Sequence, residues 1–299
     1  MIRPAYVSFL SDYGLVDGFV AACHGVLLRR APAVHIVDIT HLIPVGDLRR
    51  GSVVLAQTVG HLPCAVHLAV VDPGVGTSRR ALAVSTPRGF LVGPDNGLLP
   101  PAADALGGVR SAVALAVPAE APATFHGRDV FAPAAAALAA GHGLAGLGAP
   151  VDPAGLVRLP PPVLRLVHPA AATASATASA TASEVEAEVE VEILTVDTFG
   201  NVQLATAAGP LVPAGVVPGR NIEITVGRTV ATALFGVTFA SVQPGDPVVY
   251  VDSAGLVTIA VNRGSAAARL AVTAGDIVRL APLHGDVPGA AGPGLPAVR

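Results

Sequence analysis

Asp72 ends an apolar run, and Arg79 follows seven residues later across Pro73-Gly74-Val75-Gly76-Thr77-Ser78. A glycine-rich turn can fold such an arginine back onto the acid, and an acid paired with a guanidinium in a cleft is a candidate functional group. The plainer alternative is an ion pair that only braces the turn. His126 stands in Phe125-His126-Gly127-Arg128-Asp129 and adds a group that titrates near neutrality. Its plain alternative is a surface loop histidine, with Asp129 as the N-cap of the helix that follows.

Other strings carry weaker signals. Gly74-Val75-Gly76-Thr77 resembles part of a dinucleotide fingerprint, but Arg79 holds the third glycine position. His61, Cys64 and His67 have the look of metal ligands. Positions 64 and 67 face opposite sides of a regular strand, so packing is the better account. Asp197-Thr198-Phe199-Gly200-Asn201 sets an aromatic beside an amide, which is a turn or the wall of a purine pocket.

These residues need elements to place them. The runs 6–10, 34–37, 65–71, 81–86, 89–92 and 112–116 read as strands. Helical stripes lie between them over 17–30, from a cap at Asp47 to Val59, and after Asp129. The alternation implies an α/β domain with a mostly parallel sheet. Asp12, Asp38, Asp72 and Asp95 each fall at or just past the C-terminal end of a strand, the edge where such sheets bind ligands. Residues 170–183 repeat Ala, Thr and Ser and read as a linker. Beyond it the Glu/Val alternation at 184–192 reads as a strand with one wet face. Short segments at 189–196, 220–226, 229–233, 247–251, 256–261 and 276–280 then indicate a small antiparallel barrel or sandwich. The expected division is an α/β domain over 1–165, a linker over 166–185, an all-β domain over 186–284 and a disordered tail over 285–299.

Composition removes several classes. All 18 basic residues are arginine, so no lysine exists for a Schiff base or a phosphate-binding P-loop. A formal net charge of −3 gives no electrostatic case for nucleic acid or an anionic membrane. Two cysteines make no disulfide framework. The N-terminal apolar run is too short for a signal peptide, and the apolar stretch 130–150 reads as a buried helix and loop. The expected location is the cytoplasm.

Taken together and in order, Ser11-Asp12-Tyr13-Gly14 with Asp17, Val70 to Arg80, Pro94-Asp95-Asn96-Gly97, Phe125 to Asp129, Asp197 to Asn201 and Ala260-Val261-Asn262-Arg263-Gly264 resemble the S-adenosylmethionine hydroxide adenosyltransferases. These are relatives of the fluorinase and chlorinase enzymes. The resemblance implies an α/β domain followed by a β-barrel, a homotrimer with sites between subunits, and conversion of S-adenosylmethionine and water to adenosine and methionine. It implies no cofactor and no metal, and a small molecule as the partner. The family's catalytic trio falls on Asp72, Arg79 and His126. Asp12 would meet the ribose hydroxyls, and Asp17 and Asp197 the methionine ammonium. Asn201, with backbone near Val261 and Arg263, would read adenine, with Phe199 and Phe239 packing beside it. Ser253 would lie near the methionine carboxylate.

Three differences from the halide-using branch favour water. Asp72-Pro73-Gly74-Val75 replaces a Tyr-centred segment, Gly127 replaces a halide-binding Ser, and only residues 81–93 separate Arg80 from Pro94. Two departures from the family are His24, where a Lys is common, and Val-Gln-Leu-Ala-Thr after Asn201. The competing readings are a non-catalytic adenosine or S-adenosylmethionine binder, a halogenase, and a metal-dependent phosphoesterase using Asp12, Asp72, Asp95, Asn96 and His126.

Overall fold

The computed structural model describes residues 4–167 and 187–283. The chain forms two compact units, Met1–Pro160 and Pro161–Arg299. The low-complexity tract, residues 170–183, and the tail expected to be disordered lie outside the described residues.

The first unit is built on β1 (Tyr6–Ser11), α1 (Phe19–Arg30), β2 (His35–Thr40), α2 (Leu48–Val59), β3 (Ala65–Val70), β4 (Ala81–Thr86), β5 (Gly89–Pro94), α3 (Pro100–Ala105), β6 (Ser111–Leu115), α4 (Ala132–Ala139) and β7 (Gly148–Val151). The sheet order is β2-β1-β3-β5-β4-β6-β7. Strands β2, β1, β3 and β5 pair in parallel, whereas β4 runs against both its neighbours and β7 against β6. The reversal at β4 has a simple cause. Only Pro87 and Arg88 separate it from β5, and two residues allow a hairpin but no crossover.

Every residue of β3 is buried, because both faces of the sheet are covered. One core joins Val7, Phe9, Val66 and Leu68 to Cys23, Leu27, Phe131 and Ala135 from the α1 and α4 side. The other joins Leu10, Ala69 and Leu91 to Leu55, Val59, Leu99 and Ala102 from the α2 and α3 side. Asp47 caps α2 as its sequence suggests, with Oδ1 accepting from the Arg50 N–H at 2.8 Å. Asp129 does not cap. It lies inside a π-helical turn, Gly127–Phe131, and both its oxygens are taken by the Arg128 guanidinium at 2.8 Å.

The second unit comprises β8 (Leu164–Val167), β9 (Glu188–Val196), β10 (Val202–Leu204), β11 (Asn221–Val226), β12 (Thr229–Phe235), β13 (Pro247–Val251), β14 (Val257–Val261), α5 (Ala266–Leu270) and β15 (Ile277–Pro282). The order β10-β14-β13-β12-β11-β15-β9 closes through a β9–β10 pairing into a seven-stranded barrel. The first half of β9 carries β8 on the edge whose second half carries β10, which its nine-residue length permits. Val191, Ile193, Ile224, Phe235, Val249, Ile259 and Leu280 fill the interior.

The Glu face of β9 is not wet. Glu190 and Glu192 are buried. Glu190 accepts from Arg165 of β8 at 2.5 Å and from Arg279 of β15 at 2.8 Å, while Glu192 accepts the Val163 N–H at 2.9 Å. The two arginines, Arg165 first, hold the Glu190 carboxyl below its usual range. Alternation signalled the strand, but the neighbouring strands supply donors that let the acids be covered.

Candidate active site

Strand β3 delivers Asp72 to the C-terminal edge of the sheet, two residues past its last paired residue. The chain then reverses tightly: Val75 N–H donates to Asp72 C=O and Thr77 N–H to Gly74 C=O, each at 3.2 Å. Gly76 sits at φ +78°, and a Cβ there would come within 2.8 Å of the Ala123 carbonyl. Only glycine fits that turn without strain. No helix follows the turn; β4 does, so the dinucleotide reading lacks its anion-binding helix terminus.

The turn returns Arg79 onto Asp72. Arg79 Nε donates to Asp72 Oδ1 at 2.9 Å, and Nη2 donates to Asp72 Oδ2. The same Nη2 lies 2.9 Å from His126 Nδ1. Arginine has no acceptor, so it is the donor and Nδ1 must carry a lone pair. A neutral His126 therefore holds its proton on Nε2. Burial, and then the adjacent Arg79 cation, push His126 below its ordinary range. The Asp72 and Arg79 side chains are 6% and 10% exposed, so the pair is nearly desolvated. Phe131 lies 5.1 Å beneath the Arg79 guanidinium and backs it.

Asp12, Tyr13, Val45, Gly46, Asp72, Val75, His126 and Gly127 share one cavity of about 150 Å³. Asp12 Oδ2 accepts the Gly46 N–H at 2.9 Å, which fixes the carboxylate at the cavity wall. Tyr13 was not singled out by sequence reasoning, although it adjoins Asp12. Phe9, Phe19 and Phe125 surround its ring, with centroids 5.8–6.3 Å away. Burial keeps its hydroxyl protonated, with the pKa raised well above its usual value.

The four acids of the sheet edge divide their roles. Asp12 and Asp72 line the cavity. Asp95 pairs with Arg80 at 2.5 Å and accepts the Val157 N–H at 2.9 Å, and the neighbouring Asn96 donates to Val71 C=O at 2.9 Å. Asp38 faces two histidines, His24 and His41. Asp95 and Asn96 are therefore spent on holding loops. Asp17 is exposed on the loop ahead of α1, outside the cavity lining. Of the His61, Cys64 and His67 string, His67 is buried against Ser8 Oγ at 2.8 Å, while His61 and Cys64 are exposed.

Within the second unit, Asp197, Phe199 and Asn201 share one turn. Asp197 Oδ1 accepts from the Phe199 and Asn201 N–H groups at 2.9 Å, and Oδ2 accepts from the Asn201 side-chain amide at 2.7 Å. Gly200, at φ +81°, packs against Ser265 so closely that any side chain would collide. The Phe199 ring is 78% exposed and offers an open face. Phe239 lies 5.2 Å from Tyr250, ring to ring. Ser253 is exposed in the turn that Asp252 braces through the Ala254 and Leu256 N–H groups. Val261 ends β14, and Arg263 follows at φ +60°, an unusual conformation for a side-chain-bearing residue.

The family model described as the SAM hydroxide adenosyltransferase N-terminal domain matches residues 7–148, and its C-terminal counterpart matches 191–279. The chain belongs to the SAM hydroxide adenosyltransferase family. An (R)-S-adenosyl-L-methionine hydrolase of Salinispora arenicola is 54% identical over 94% of this chain and 99% of its own length. A fluorinase of Actinopolyspora mzabensis is 27% identical over 89% and 93%. Among solved structures, an uncharacterised conserved protein from Thermotoga maritima superposes with a TM-score of 0.78 at 33% identity, covering 92% of this chain and 99% of that one. The family's hydrolase and fluorinase branches thus both align over most of the chain, with the hydrolase far nearer in sequence.

Proposed function

We propose that this chain is an S-adenosyl-L-methionine hydrolase that directs water to ribose C5′ and releases adenosine and L-methionine. The observation that carries the reading is the Asp72–Arg79–His126 constellation, whose Asp72 and His126 line one cavity with Asp12 on a chain of this family.

C5′ is an unactivated primary carbon and water is a weak nucleophile. The leaving group is a neutral thioether departing from a sulfonium, so no acid is needed to expel it. Rate must come from placing one water in line with the C–S bond and accepting its proton as it reacts. Asp72 offers the carboxylate and Arg79 fixes it. His126, neutral with its proton on Nε2, offers a donor rather than a second charge. The three act as one coupled set in the proton transfer. A nearly dry pocket favours the reaction, because the positive charge on sulfur disappears along its course.

The remaining assignments belong to the same proposal. Asp12 takes the ribose hydroxyls, and Asp17 and Asp197 the ammonium. Asn201, with the backbone of Val261 and Arg263, takes adenine beside Phe199 and Phe239, and Ser253 takes the carboxylate. The reaction uses no cofactor. The working assembly is a homotrimer; exposed Leu15, Val16, Leu42 and Val45 in the first unit give apolar surface for contacts between copies. The enzyme acts in the cytoplasm, where its free thiols, Cys23 and Cys64, would stay reduced. Among the described residues no helix is long and apolar enough to cross a membrane.

Product analysis in isotopically labelled water tests the reading. Label in the adenosine 5′-hydroxyl supports attack at C5′. Unchanged substrate would favour a non-catalytic binder, and 5′-chloro-5′-deoxyadenosine in the presence of chloride would favour a halogenase.

A further inference from the structure

Helix α1 and the end of β2 converge on His24, Asp38 and His41, none of which lines the cavity described above. His24 Nε2 lies 2.9 Å from Asp38 Oδ1, and His41 Nε2 lies 3.1 Å from the same oxygen. One potential ligand atom from each residue falls within 4.8 Å of the other two. Arms of 2.0–2.1 Å meeting at a tetrahedral centre set their donor atoms about 3.3 Å apart. The two distances from the histidine nitrogens to Asp38 Oδ1 are already near that spacing.

His41 makes the arrangement more than a surface group of polar residues. Its side chain is 2% exposed, and its Nε2, though close to Asp38, is not angled to form a hydrogen bond with it. A buried ring nitrogen left in that position calls for an explanation. The other ring nitrogen, Nδ1, meets Ser11 Oγ at 2.8 Å. With the Nδ1 proton given to Ser11, Nε2 keeps its lone pair, 3.1 Å from Asp38 Oδ1. Metal-ligating histidines are commonly held this way, one nitrogen anchored by an outer partner and the other free to bind. The His24 and Asp38 side chains are 26% and 41% exposed, which gives an ion a route in and water a place to complete the shell.

We propose that His24, Asp38 and His41 bind one divalent transition-metal ion of the zinc class. Two imidazoles and one carboxylate suit zinc better than magnesium or calcium, which prefer all-oxygen shells. The site is structural in character. Ser11 precedes Asp12 in the chain, and the His41 carbonyl accepts the Gly14 N–H at 2.7 Å. A bound ion would pin α1 to the strand ends that carry Asp12.

The test uses the full chain, stripped with a chelator and dialysed, then titrated with zinc alone and with cobalt(II) as a spectroscopic substitute. The expected result is one zinc per chain by elemental analysis, a cobalt d–d absorption band of four- or five-coordinate character, and a zinc-dependent rise in melting temperature. His24→Gln and Asp38→Asn, both at partly exposed positions, should each weaken binding by at least about tenfold while keeping the circular dichroism of the parent. Absence of stoichiometric zinc would overturn the proposal and leave a hydrogen-bonded His–Asp–His group. Equal binding by both variants would also overturn it, placing the zinc elsewhere.

Discussion

The Tyr13 hydroxyl occupies the space into which a side chain at position 127 would grow. A Cβ built on Gly127 overlaps that hydroxyl and approaches the Tyr13 Cζ to 3.0 Å. Tyr13 cannot swing aside freely, because Phe9, Phe19 and Phe125 hold its ring. Gly127→Ser should therefore displace the tyrosine or the π-helical turn beside His126. Misplacement on that scale costs on the order of 100-fold in kcat/KM. Tyr13→Phe removes the worst overlap, so the double variant should recover part of the loss. Steady-state kinetics on the two single variants and the double variant measures the coupling. Simple additivity would refute the steric account.

Asp72 and Arg79 form a nearly buried pair, so Asp72→Ala has two separable effects. Turnover should fall by about 10²–10⁴, with adenosine binding largely retained. Stability should also fall, by about 3–5 kcal/mol, because Arg79 is left without its counter-charge. Adding Arg79→Met should restore much of the stability and none of the activity. Thermal melts, adenosine titration and single-turnover assays distinguish the effects. Near-normal adenosine release by Asp72→Ala would remove Asp72 from the reaction.

His126 is held below its ordinary value of 6.5 by burial first and Arg79 second. Protonation would fill Nδ1, break the bond from Arg79 and set two cations together. The acid limb of kcat/KM should then have its midpoint below 6.5. The stabilising contribution of the neutral ring is full above pH 6.5 and is lost as pH falls through the folded value. Arg79→Met should move the limb upward, though not fully to 6.5, since burial remains. A wild-type limb at or above 6.5 would contradict this geometry.

The strands of the first unit were legible because β3 and its neighbours are apolar runs bounded by turn residues. Direction was harder: the Pro87-Arg88 loop decides that β4 reverses, and strand composition carries no such sign. Asp72 and Arg79 were readable because seven residues with two glycines make a return turn. The tautomer of His126 was not, since it depends on which Arg79 nitrogen reaches Nδ1. Tyr13 carries no signal in the sequence, because a tyrosine beside an aspartate is common and only the packing of three phenylalanines aims it at Gly127. Alternation alone does not show that the Glu face of β9 is covered, because its covering arginines, Arg165 and Arg279, come from strands distant in sequence. Short elements such as β10 and α5 offered too few residues to show a period.

His67 gives a prediction independent of catalysis. It sits in β3 with no exposure, and its Nδ1 meets Ser8 Oγ at 2.8 Å. Burial, and secondarily Arg88, push its pKa down to about 4 from the ordinary 6.5. The folded state thus resists a proton that the unfolded chain accepts. Stability from this group is complete above pH 6.5 and is lost as pH falls through 4. A depression of that size corresponds to about 3 kcal/mol. Urea unfolding of the parent at pH 7 and pH 4 should show a drop that includes this amount. His67→Leu lacks the titrating ring, so its drop between the same two pH values should be smaller by about 3 kcal/mol, even though losing the Ser8 bond lowers its stability at both. Other titrating groups are common to parent and variant and cancel in the difference. Equal drops in the two proteins would mean that His67 takes up its proton in the folded state as easily as in the unfolded one.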